Sequence, residues 1–154
     1  NAMRTMADNK GVYIISYVQS MAASAAYALA VCADEVVCHP QGQVGSVGVL
    51  VALLNNTKQL EKTGLSRTFI TAGENKIPFD ANGDFREGFL AEIQARVDDL
   101  YGQFCAHVSH HTGLSIEEVQ ATEASVFSGP TALSMGMVNS VMTNEEFATY
   151  ITTR

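Results

Sequence analysis

Tryptophan is absent from the 154 residues, proline and cysteine occur three times each, and Lys and Arg together number only nine against sixteen Asp and Glu. The shortage of proline excludes a proline-rich linker or docking segment. The net charge of −7 and pI near 4.9, with no basic cluster, exclude a nucleic-acid footprint and a lipid-facing basic patch. Cys32, Cys38 and Cys105 are odd in number and contain no C-x-x-C pair, which argues against a disulfide framework and a zinc site. They read as small core hydrophobes of a reducing compartment. The longest apolar stretches, Val12 to Ile15 and Val44 to Leu54, are short or broken by Gly and polar residues, so none crosses a bilayer. The expectation is a soluble segment whose partners are proteins.

What is present suits one globular core, since 47% of residues are hydrophobic. Asn1-Ala2-Met3 reads as a tag remnant and a start, leaving residues 4–154 as a single domain. Gly11 to Val18 predicts a fully buried strand, with nothing before it to supply neighbours, so the domain is expected to be truncated at its N-terminus. Ala22 to Cys32 predicts a buried helix, Glu35 to His39 a short strand, and Val47 to Leu53 another strand after the turn Gly42 to Ser46. Asn55 to Lys62 predicts a helix closed by Gly64, and Arg67 to Thr71 is β-like. A long helix is expected from an Asp84 cap to about His111, with Phe89, Ile93, Val97, Leu100, Phe104 and Val108 on its apolar face and Gly113 ending it. Ser115 to Glu118 is a capping box, Pro130 begins a further helix, Val138 to Met142 is a last strand, and a terminal helix starts at Asn144. This alternation implies an α/β fold with a mostly parallel sheet, whose sites collect at the carboxyl ends of strands.

The junction Gln19 to Tyr27 is such a strand-to-helix turn, built of small residues. A hydroxyl at Ser24 lies near unsatisfied helix N–H groups that suit an oxyanion, with the Ala25 N–H as the natural donor. The same serine equally reads as the cap of a core helix. His39 lies too close in sequence to Ser24 for a Ser/His triad of the Clp type. His107 and His111 share a helix face at metal-compatible spacing, but with no third ligand evident they read as a solvated or oligomer-facing patch. Met135, Met137 and Met142 read as core fillers.

Several motifs in order resemble the signal peptide peptidase family of Ser/Lys serine peptidases and its phage capsid (prohead) protease branch. They are Ser20 to Tyr27, Ala33-Asp34, Gly45-Ser46-Val47-Gly48-Val49, Thr71-Ala72-Gly73-Glu74-Asn75-Lys76, Leu100 to Phe104, Gly113-Leu114-Ser115, Phe127-Ser128-Gly129 and Ala132 to Val138, spanning roughly residues 11–142. The resemblance implies that Ser24 attacks the scissile carbonyl, Lys76 takes its proton, and Ser46 orients the lysine. Structural readings remain for each, Ser46 as a turn residue between two glycines and Lys76 as a solvated loop charge. A basic Lys76 needs its pKa lowered from about 10.4 toward neutrality, which costs about 3 to 4 kcal/mol and calls for burial. Ile77, Pro78 and Phe79, alone or with bound substrate, are expected to provide it, with Glu74 pointing away.

Departures are Ala25-Ala26 where cellular members have Gly-Gly, Asn139 where Asp is common, His110-His111-Thr112 in place of a region that often contains Arg, and the want of a glycine-rich oxyanion loop before Gly11. The last leads to the expectation that this segment alone is inactive. The resemblance further implies a Clp/crotonase-like spiral of β-β-α units, homo-oligomeric rings, a protein or peptide substrate such as scaffold or signal-peptide remnants, and no metal or organic cofactor. It also implies a cytoplasmic place in a bacterial host or assembling virion, with membrane association only through an upstream anchor. Ala121 to Phe127 favours the phage branch over a cellular signal-peptide peptidase. A crotonase-like acyl-CoA enzyme and a non-catalytic assembly module are the readings of other classes.

Overall fold

The computed structural model describes residues 2–153, without the side chain of Glu74. It divides into two compact units, one formed by residues up to Gly48 together with those from Tyr101 onward, the other by Val49–Leu100.

In the first unit the order is α1 (Ala2–Lys10), β1 (Ile15–Val18), β2 (Met21–Ala23), α2 (Ala25–Ala30), β3 (Glu35–Cys38) and β4 (Gln43–Gly45). The second unit holds α3 (Thr57–Lys62), a 3-10 turn Glu74–Lys76, and the start of α4 (Glu87–Thr112), whose residues from Tyr101 belong to the first unit. α5 (Ile116–Gln120), β5 (Val126–Ser128), α6 (Gly129–Ser134), β6 (Ser140–Val141) and α7 (Asn144–Thr153) complete the first unit.

Two three-stranded sheets organise the first unit. In the order β1-β3-β6 all pairings are parallel, and the central strand is the β-branched run Glu35-Val36-Val37-Cys38, whose Val37 and Cys38 are fully buried. A parallel strand covered on both faces requires such continuous apolar character. In the order β2-β4-β5, β2 and β4 are parallel and β5 runs antiparallel. The core gathers Val18, Ala22, Tyr27, Val31, Val44, Val47, Cys105, Val108, Val119 and Met137. All three cysteines are buried and outside any disulfide, as expected of small core residues. Tyr27 has no exposed surface, and its hydroxyl donates to the Met137 carbonyl at 2.7 Å, which fixes α2 against the approach to β6. α7 docks through Tyr17, stacked on Phe147 at 4.1 Å, and through the Tyr150 hydroxyl, which donates to Glu35 at 2.6 Å.

Several sequence expectations are corrected. The buried strand expected over Gly11 to Val18 is ordered as β only from Ile15, because β3 offers four residues to pair with, and Val12 and Tyr13 remain half exposed. Ala2 and Met3 lie in α1, whose Arg4 bridges Asp8 and Asp34 at 2.7 Å each. The helix expected from Ala22 begins at Ala25, since Met21 to Ala23 pair with β4. The strand expected over Val47 to Leu53 is not one: the pairing segment is Gln43–Gly45, and Leu50 is 84% exposed. Arg67 to Thr71 likewise has no ladder partner among the described residues. Asp84 does not cap α4, because its N–H donates to the Asp80 carboxylate in a tight turn closed by the Phe79–Phe85 bridge. The Ser115 capping box and the Gly113 helix end, at φ 80°, are as expected.

The second unit is built around a run of stacked rings, Phe69 to Phe79 at 6.2 Å, Phe79 to Phe85 at 5.0 Å and Phe85 to Phe89 at 5.9 Å, with the Arg67 guanidinium over Phe69 and Phe79.

Candidate active site

The residue that leaves β2 is Ser24, and the residue that leaves the neighbouring parallel strand β4 is Ser46. The register pairs Ala23 with Gly45, so the two serines occupy equivalent positions at adjacent carboxyl ends, where strands of a parallel pair lie about 4.8 Å apart. The Ser24 N–H donates to the Gly45 carbonyl at 2.8 Å, tying one turn to the other. Both serines are half-buried.

Ser24 has φ 54° and ψ −124°, a conformation that L side chains rarely adopt. It is the N-cap residue of α2, and its carbonyl accepts from the Ala28 N–H at 3.0 Å, yet its side chain makes no capping hydrogen bond. The alternative reading of Ser24 as an ordinary cap therefore loses its physical basis. A strained residue on a sharp strand-to-helix turn is a feature shared with nucleophile turns. Ala25, next in the chain, is exposed and opens α2, where main-chain N–H groups have no intrahelical partner.

Ser46 also has positive φ, 56°, and its N–H donates to the Ser125 carbonyl at 2.8 Å. The segment that meets it, Glu123 to Ser125, contains two further left-handed residues, Glu123 and Ala124, before entering β5. Gly45, at φ 125°, lies so close to the Ser125 carbonyl that an added Cβ would collide with it. These contacts fix the Ser46 turn from the side opposite β2. Sequence reasoning did not find them, although the family-like stretch Ala121 to Phe127 was a signal that the segment mattered.

Lys76 ends the 3-10 turn of the second unit, with its N–H donating to the Gly73 carbonyl at 3.2 Å, and its side chain is exposed. Ile77, Pro78 and Phe79 are half-buried, but they are engaged within their own unit: Arg86 donates to the Ile77 and Pro78 carbonyls at 2.9 and 2.8 Å, and Phe79 joins the ring stack. Ile77, Pro78 and Phe79, expected to desolvate the amine alone or with bound substrate, leave Lys76 exposed in this chain. The orientation expected for Glu74 falls on a side chain outside the described residues. No helix is long and apolar enough, among the described residues, to cross a membrane.

The chain is 30% identical over 142 residues to "Capsid assembly protease C" of Escherichia phage lambda, covering 92% of this chain and 32% of that protein. It is 30% identical over 125 residues to "Head-tail preconnector protein GP5" of Enterobacteria phage P21, covering 79% and 24%. With "Probable protease SohB" of Haemophilus influenzae it shares 27% over 138 residues, covering 89% and 38%. It therefore spans roughly a quarter to two fifths of the length of these curated relatives. The sequence pattern of one family matches residues 6–153, from α1 through the strand-end serines to α7, and on that match the chain belongs to peptidase family S49.

Proposed function

We propose that this chain forms the catalytic part of a serine endopeptidase in which Ser24 is the nucleophile, Lys76 the general base, Ser46 the residue that orients the lysine, and the Ala25 N–H an oxyanion donor. The observation that carries the proposal is the backbone of Ser24, which is strained, with a side chain that makes no capping hydrogen bond, and set beside Ser46 at the ends of paired parallel strands. Membership of a peptidase family supports the same reading.

Ser24 Oγ attacks the scissile carbonyl carbon while its proton passes to the neutral Lys76 amine. The resulting oxyanion is held by the Ala25 N–H. As the C–N bond breaks, Lys76 returns the proton to the departing amine, and a water activated by the same amine then hydrolyses the acyl-enzyme. Because Lys76 is exposed in the chain alone, the mechanism requires the seated substrate to cover it.

The fold we assign is the Clp/crotonase-like spiral of β-β-α units, both units belonging to one peptidase domain, with self-assembly into rings. Leu50, Leu54 and Ile70, more than four-fifths exposed, supply apolar surface for such assembly. The substrate is a capsid-associated protein, a reading supported by the likeness to a capsid assembly protease and a head-tail preconnector protein, and the site of action is the cytoplasm of an infected cell. Co-expression with candidate scaffold proteins tests this. Cleavage should occur with the wild-type peptidase of which this chain forms the catalytic part and fall by at least about a thousandfold in Ser24→Ala and in Lys76→Ala. Equal cleavage by Ser24→Ala would sink the assignment.

A further inference from the structure

α2 ends at Ala30, and the chain turns at once through Val31 to Cys32, whose side chain is almost wholly buried beneath the last turns of α4. Those turns carry His107 and His111, both half-buried and four residues apart on one face. The Cys32 sulfur and one ring nitrogen from each histidine all lie within 4.8 Å of one another. Cys32 Sγ and His107 Nε2 are 3.6 Å apart. Two ligands on a tetrahedral zinc ion, one sulfur at about 2.3 Å and one nitrogen at about 2.05 Å, are separated by about 3.6 Å. The rings of His107 and His111 meet edge to face with centroids 4.7 Å apart. All three residues belong to the first unit.

From this geometry we propose that Cys32, His107 and His111 bind a divalent zinc-like cation, with solvent in the fourth position. The Cys32 thiol and the His107 Nε2–H both point at the Ala28 carbonyl, at 3.2 and 2.8 Å. Binding replaces those two protons by one cation. The Cys32 proton is released to solvent, the His107 proton moves from Nε2 to Nδ1, and the Ala28 carbonyl is left facing positive charge. A thiolate with two imidazoles is a donor set suited to zinc and, under the same geometry, to cobalt(II). The ion would clip the carboxyl end of α2, whose amino end positions Ser24, to the end of α4. The proposal is independent of the peptidase reading.

A hydrogen-bonded helix cap made by His107 alone would leave His111 without a role, which gives the experiment its sharpest arm. The reduced, chelator-stripped protein is titrated with cobalt(II), followed by zinc. The expected result is stoichiometric binding with a thiolate-to-cobalt charge-transfer band and intense tetrahedral d–d bands, both abolished by zinc and by Cys32→Ala. Cobalt affinity should fall about 100-fold or more in His111→Ala, beyond the loss usual for an outer partner, and stay unchanged in the exposed neighbour variant His110→Ala. Absence of the charge-transfer band in the wild-type protein, or its persistence in Cys32→Ala, would overturn the site. Should Cys32→Ala fail to fold, an unaltered affinity in His111→Ala would overturn it equally.

Discussion

Ser24 shows how a single residue can be held against its own preference. Its left-handed backbone costs on the order of 1 to 3 kcal/mol, and the turn persists because the Gly45 carbonyl and the first turn of α2 fix it on both sides. Glycine adopts this conformation without penalty. Ser24→Gly is therefore expected to raise thermal stability by about 1 kcal/mol while ending activity, and Ser24→Ala to end activity with no such gain. Paired thermal melts check this, and equal midpoints for the Gly and Ala variants would remove strain from the account. Ser24 itself was legible in the sequence as a hydroxyl at a strand-to-helix turn, but its strain was not, because φ depends on tertiary contacts made by residues far along the chain. Cys32 illustrates the same limit. Nothing near it in sequence marks it as a ligand candidate, and its neighbours His107 and His111 lie some 75 residues away.

At the scale of elements, helices with local signals were the most legible. The capping box at Ser115, the Gly113 end of α4 and the proline opening of α6 are all encoded within a few residues of where they act. Strands fared worse: Val47 to Leu53 has strand composition but no ladder partner among the described residues, whereas the short β5, with an unremarkable sequence, is ordered by pairing to β4. β structure is decided by what lies alongside, not by propensity alone. The placement of α2 rests on Tyr27, whose hydroxyl is buried against the Met137 carbonyl and whose pKa is pushed far up by that burial. Tyr27→Phe leaves the carbonyl without its partner and is expected to destabilise the fold by about 1 to 3 kcal/mol, measured by denaturant unfolding. A change below a few tenths would mean that the contact contributes packing only.

For the whole molecule, the acidic composition predicts a distinctive response to pH. Asp34 accepts from the Ile14 N–H and pairs with Arg4, and these contacts hold its carboxyl below the usual range. A group depressed in the folded state adds stability that is complete above its unfolded value, near pH 4, and is lost as pH falls through the folded one. The melting-temperature gap between wild type and Asp34→Asn should thus be widest at neutral pH and shrink below about pH 4. A gap independent of pH would assign the loss to packing. Family membership was readable from ordered motifs, while the sheet pairing that brings Ser24 beside Ser46 emerges only from the fold. The central claim is that Ser24 is a nucleophile activated by Lys76. It is tested most directly by mass-spectrometric detection of a fluorophosphonate adduct on Ser24 across about pH 6 to 10, bracketing the values open to a desolvated lysine. The account predicts labelling that rises with pH as the amine deprotonates and that disappears in Lys76→Ala; undiminished labelling in Lys76→Ala, or none at Ser24 in the wild-type protein at any pH, would contradict it.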